Sequence, residues 1–140
     1  MREENLEWLR KAGCNRIHLG IESASEKTLK IIKKSIHIPQ IEQAVRLVKK
    51  HGFTTLNYFM IGLPTETDED VLGIPDLVHR ALRFAREKRR PLSVNVSVSS
   101  FVPKPHTPFQ WRAQDTNDEL RRKIGMLQGS INRGVRLSWN

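Results

Sequence analysis

The chain has 140 residues, 38% hydrophobic and 28% charged, which is the size and composition of one globular domain and excludes a disordered or low-complexity protein. It contains no run of about eighteen apolar residues, and Met1 to Leu6 lack the apolar stretch of a signal peptide, so the cytoplasm is the expected compartment. One cysteine, Cys14, excludes an internal disulfide and any cluster held by several thiolates of this chain, while a formal charge of +9 gives a surface field that favours a polyanionic partner.

Leu6 and Leu9 form the apolar stripe of a short first helix, with Gly13 as its stop. Over 16–22, Ile17, Leu19 and Ile21 face one way and His18, Gly20 and Glu22 the other, which predicts a strand. Ser25 can cap a short helix carrying Leu29 and Ile32. Pro39 suits the first turn of the next, where Ile41, Val45 and Val48 line one face before Gly52. Residues 53–62, rich in β-branched and aromatic side chains, predict a second strand. Thr67-x-x-Asp70 can cap a longer helix with Leu77, Ala81 and Phe84 inward, and Pro75 is expected to break or kink its beginning. A third strand over 92–100 puts Val94, Val96 and Val98 on one side and Ser93, Asn95, Ser97 and Ser99 on the other. Thr116-x-x-Glu119 reads as a capping box, followed at helical spacing by Leu120, Ile124, Leu127 and Ile131, with Gly134 as the expected stop. A fourth strand is expected over 135–139.

Strands and helices alternating through short links predict an α/β fold with a parallel sheet. The third strand is apolar on one side only, whereas the strands of an open doubly wound sheet are covered on both faces. Valines towards helices and small polar groups towards a lumen are what a barrel wall requires. A complete eight-fold barrel takes about 250 residues, so an incomplete (β/α) barrel is expected, one partial domain over residues 1–140.

In such barrels the working face lies at the C-terminal ends of the strands. Those ends carry Gly20-Ile-Glu-Ser-Ala24, Gly62-Leu-Pro-Thr-Glu-Thr67 and Ser99-Ser-Phe-Val-Pro-Lys-Pro-His-Thr-Pro-Phe109. Glu22 shares a face with Gly20, which leaves space beside its carboxylate for a ligand. Gly62 and Pro64 make a tight exit from the second strand, and Glu66 precedes a helix start. Taken singly, each has a plainer account: a solvated carboxylate, a turn, a rigid connection. Their coincidence at one end of successive strands favours a binding site.

Leu19-Gly-Ile-Glu-Ser23 with Leu29 and Lys33, then Ile61-Gly-Leu-Pro-Thr-Glu-Thr67, resembles the second half of the radical S-adenosylmethionine (SAM) core domain. Phe101-Val-Pro-Lys-Pro-His-Thr-Pro-Phe-Gln-Trp111 resembles the subgroup whose members often carry a cobalamin-binding-type domain before the barrel, with methylthiotransferase and elongator-type enzymes as relatives. The resemblance implies strands four to six of a six-strand partial TIM barrel. It also implies SAM bound next to a [4Fe–4S] cluster, and cleavage of SAM to methionine and a 5′-deoxyadenosyl radical. Carried over by motif, Glu22 and Ser23 stand at the strand-four end, with Glu22 on the SAM ribose. Lys33 fits a basic residue near the SAM carboxylate, and Gly62, Pro64 and Glu66 shape the adenine site. Ser99, Val102 and Pro103 supply backbone and apolar contacts beside the adenine. Thr65 stands where many relatives have glycine.

The Cys-x-x-x-Cys-x-x-Cys loop of that family does not occur in the sequence. Cys14 reads as a structural thiol, and the 140 residues are not expected to catalyse the radical step alone. The expected partner is the cluster-bearing N-terminal half of the same barrel or a separate subunit, with no membrane contact. His18 points to the presumed lumen, as a core histidine or one that supports a ligand-contacting side chain, and His106 lies in the proline loop near a substrate mouth. Lys27, Lys30, Lys34, Lys49, Lys50, Arg80, Arg83, the basic run at 86–90 and Arg121 to Lys123 read as solvated helix exteriors, with RNA as the alternative contact. Against the enzyme fragment stands a non-catalytic basic barrel fragment that binds RNA or a partner subunit.

Overall fold

The computed structural model describes residues 2–87, 94–132 and 134–140. The elements are α1 (Glu3–Lys11), β1 (Arg16–Glu22), α2 (Glu26–Ile31), α3 (Ile38–Lys50), β2 (Thr54–Ile61), α4 (Asp68–Glu87), β3 (Val94–Ser100), α5 (Asn117–Ser130) and β4 (Val135–Trp139). The side chains of the expected inward Phe84 and of Arg86, and residues 88–90 of the basic run with Leu92 and Ser93 of the third strand, fall outside what is described.

The four strands form one parallel sheet in the order β1-β2-β3-β4. Among the described residues the order does not reverse, and the sheet shows no switch point of the doubly wound kind. Strand alternation decides which face is covered. Ile21, Phe59, Ile61, Val94, Val96 and Val98 pack against Leu29, Ile41 and Val45 below and Val71, Ile74, Leu77 and Val78 of α4. The other face carries His18, Gly20, Tyr58, Met60, Asn95, Ser97 and Ser99, all partly or fully exposed. A second cluster, Leu6, Val48 and Phe53, fastens α1 to α3. Burial of each such side chain contributes roughly 1.5–3 kcal/mol.

The helix starts follow the sequence closely. Ser25 accepts the Thr28 N–H, and Thr116 accepts that of Glu119. Thr67 and Asp70 exchange bonds at the start of α4, Thr67 N–H to Asp70 at 2.9 Å and Asp70 N–H to Thr67 Oγ1 at 3.3 Å. Of the break or kink expected at Pro75 the break does not occur, and the expected stop of α5 is corrected. Pro75 lies inside α4 without ending it; Val71, Ile74, Leu77 and Val78 are buried on both sides of it, and that packing outweighs the backbone bond a proline forfeits. Helix α5 stops at Ser130, because Ile131 turns extended with ψ 129, well before Gly134. Among the described residues no helix is long and apolar enough to cross a membrane.

Candidate cofactor-binding cleft

At the C-terminal ends of β1, β2 and β3 a cleft opens on the uncovered face, lined by Glu22, Tyr58, Met60, Ser99, Val102 and Lys104. Glu22 is placed there by a break in the ladder. The β1–β2 register shifts between Gly20 and Glu22, and Glu22 adopts φ 70, in the left-handed region that a glutamate rarely occupies. Such conformations persist where surrounding contacts hold them, and they gather at ligand sites. Glu22 Oε1 accepts from the Lys34 ammonium at 3.0 Å. A Cβ at Gly20 would approach that same oxygen to 3.0 Å, so the glycine gives room to the Glu22–Lys34 pair itself.

The β2 exit is built from behind the cleft wall. Gly62 is buried with φ 77, and its N–H donates to Glu66 Oε2 at 2.7 Å. That oxygen also accepts from Lys123 at 3.0 Å, and Lys123 reaches Asp115 Oδ2 at 2.7 Å. Burial pushes the Glu66 carboxyl above the usual glutamate range, against the pull of the Gly62 N–H and Lys123. Burial likewise works against the Lys123 charge, but its bonds to Asp115 and Glu66 prevail and hold it above the usual lysine value. Lys123 is thus a buried residue, not part of a solvated helix exterior, and Lys49 is buried as well.

Of the residues singled out from sequence, Glu22, Ser99 and Val102 line the cleft, and Gly62 and Glu66 form the turn behind it. Ser99 Oγ donates to Asn140 Oδ1 at 3.1 Å. Ser23 is buried and turned to its own loop, where Oγ accepts the Ser25 N–H at 3.2 Å. Lys33 occupies an exposed turn with φ 54, and the ammonium on Glu22 belongs to its neighbour Lys34. Pro64 and Pro103 are half-buried. His18 Nδ1 lies 3.3 Å from the Tyr58 hydroxyl on the open face, and His106 is exposed with φ 61. Tyr58 and Met60 are not singled out by the sequence, Lys34 reads there as part of a solvated helix exterior, and Lys104 enters only as part of the 99–109 cluster. The alternation of β2 opposite Phe59 and Ile61 carried the signal for the first two.

The donor set for a metal cluster is a separate matter. Cys14 is half-buried, and its thiol donates to the Arg16 carbonyl at 3.2 Å, at the N-terminal end of β1 and away from the cleft. Among the described residues no group of three His, Cys, Asp or Glu side chains could hold a metal ion. The residues present therefore do not fit a [4Fe–4S] cluster, whereas a carboxylate, an ammonium and an apolar wall around one cleft fit a polar nucleoside such as SAM.

Residues 1–78 match the profile of the radical SAM superfamily. The chain belongs to the radical SAM superfamily. An uncharacterized protein of Methanocaldococcus jannaschii is 35% identical over 120 residues, 84% of this chain and 25% of that protein. An anaerobic magnesium-protoporphyrin IX monomethyl ester cyclase of Rubrivivax gelatinosus is 37% identical over 67 residues, 48% of this chain and 12% of its own length. A tRNA-2-methylthio-N(6)-dimethylallyladenosine synthase of Cellvibrio japonicus is 26% identical over 119 residues, 82% and 24% of the two. The radical SAM chain thus spans a quarter or less of each of these relatives. The resemblance read from Gly-Ile-Glu-Ser and Gly-Leu-Pro-Thr-Glu-Thr is borne out.

Proposed function

We propose that this chain is the SAM-holding part of a radical SAM enzyme core, with β1, β2 and β3 standing as strands four, five and six of a partial barrel. The sequential strand order and the helices packed on one face support that correspondence.

The observation that carries the reading is the Glu22 carboxylate, held at a strand end in a left-handed conformation beside an open cleft. A ribose diol donates two hydrogen bonds, and an ionised carboxylate accepts both. Lys34 neutralises part of that charge and offers an ammonium to the SAM carboxylate. Met60 and Val102 give the adenine an apolar wall, while backbone groups of 99–103 read its edge. SAM beside a reduced [4Fe–4S] cluster supplies the radical chemistry of this family; this chain's residues hold and orient the nucleoside.

With one cysteine, the cluster in this reading takes its thiolates from outside these residues, in the rest of the barrel or in a partner subunit. A cobalamin domain would also lie outside them. The charge of +9 suits an RNA substrate, the class named for the Cellvibrio japonicus relative. A non-catalytic basic fragment is the weaker alternative, since the cleft residues fall on the motifs shared with radical SAM enzymes. Hydrogen exchange of the full chain, joined by the segment or subunit that supplies the cluster thiolates, with and without SAM tests the reading. Protection confined to 19–22, 58–62 and 99–104 supports it, and protection elsewhere or none overturns it.

A further inference from the structure

We propose that Lys123 is a positioning residue for the cleft: its ammonium, set between Glu66 and Asp115, fixes the Gly62 turn and through it the Val102 wall. This rests on the reading that the cleft takes SAM.

Lysine is almost never fully buried unless it is paired, and Lys123 is 4% exposed while Arg121 and Arg122 beside it on α5 are exposed. Its ammonium faces two carboxylates from different segments. Glu66 follows the β2 exit, and Asp115 precedes α5. Glu66 Oε2 accepts from Lys123 and from the Gly62 N–H at once, so the ammonium fixes the acceptor that fixes the turn. The turn has no slack on that side: a Cβ at Gly62 would meet Asp115 Oδ2 and Leu120 Cδ2 at 3.2 Å each. One residue back, the Ile61 carbonyl accepts the N–H of buried Phe101 at 2.8 Å, and Val102, next in the chain, lines the cleft. A continuous run of short bonds therefore joins α5 to the cleft wall.

The neighbouring cation on α5 is engaged elsewhere. Arg122 is committed to Asp68 at 2.6 Å and to Glu119 at 2.6 Å. Those two carboxylates, like Glu66 and Asp115, also act electrostatically with Lys123. Removing the ammonium leaves Glu66 and Asp115 facing one another without a cation. One of them must take a proton or swing away, and the Gly62 turn moves with it.

The test compares the full wild-type chain with Lys123→Met and Lys123→Arg. In Lys123→Met, amide exchange at Gly62 and Phe101 should rise about tenfold while Phe59 and Val96 in the strands stay unchanged. The Gly62 amide shift should follow the titration of an unpaired Glu66, displaced above the ordinary glutamate range by burial, which a purely structural loss would not produce. SAM affinity should fall about tenfold, and Lys123→Arg should restore most of each effect. If Lys123→Met does not fold, Asp115→Asn loosens the same two amides by a smaller factor. Exchange at Gly62 and Phe101 unchanged in the folded variant overturns the clamp. A loosened turn with unchanged SAM affinity overturns its link to the cleft. Wild-type chain that binds no SAM refutes the SAM reading, and the exchange data still decide the clamp.

Discussion

Lys34 places its ammonium 3.0 Å from Glu22 Oε1, in the space that a side chain at Gly20 would enter. The pair spans the β1 end and the turn after α2, so one glycine governs how the cleft carboxylate is presented. A Cβ at Gly20 would lie 3.0 Å from Glu22 Oε1 and 3.5 Å from Lys34 Nζ. Both are ends of flexible side chains, which can move aside at little cost to the fold. Gly20→Ala should therefore change stability by less than about 1 kcal/mol yet weaken SAM binding about tenfold, equivalent to roughly 1.4 kcal/mol. Urea unfolding and equilibrium dialysis with labelled SAM separate the two effects.

Thr65 holds φ 66, a left-handed conformation that a β-branched residue adopts only under constraint. Its carbonyl accepts from Lys27 Nζ at 3.2 Å, which helps to keep the turn in place. Thr65→Gly removes a steric cost of roughly 1–2 kcal/mol and adds unfolded-state entropy worth about half of that. The variant should gain roughly 0.5–1 kcal/mol, read as a higher urea midpoint at unchanged slope. A lower midpoint would show that the threonine side chain contributes contacts of greater worth.

Asp70 ties the start of α4 to α2 through Lys27 at 2.7 Å. Burial opposes its ionisation, but hydrogen bonds from Lys27, Ser25 and Thr67 prevail and hold its pKa down to about 2, from an ordinary 3.8. The unfolded chain binds the proton more readily, so stability rises with pH in this window. The contribution of Asp70 is complete above pH 3.8 and disappears as the pH falls through about 2. Asp70→Asn should lower stability by about 1 kcal/mol at pH 7, the scale of a lost helix cap, and the gap to wild type should close in acid. Thermal unfolding at pH 7, 4 and 2 checks this; a gap independent of pH contradicts it.

The strands and caps were legible because they are local. Alternation over 16–22 and 135–139 matched β1 and β4 to the residue, and Ser25, Thr67 and Thr116 marked their helices by chemistry that needs no distant partner. Pro75 did not break α4, because packing of α4 on the sheet outweighs the local propensity against a helix there. The cleft was half legible. Glu22 showed itself by motif and face, but its pairing with Lys34 rather than Lys33 depends on the turn after α2, where Lys33 adopts φ 54. Lys123 was hidden in a basic run, since only the fold brings Glu66, 57 positions away in sequence, to its ammonium.

The most direct test of the cleft is the affinity for SAM of the full chain, joined by the segment or subunit that supplies the cluster thiolates, in wild-type and Glu22→Gln forms. An amide keeps the shape and one acceptor but loses the charge that a ribose diol meets, so affinity should fall at least about tenfold at unchanged melting temperature. Equal affinity in the two proteins would contradict the assignment of Glu22, and of this cleft, to SAM.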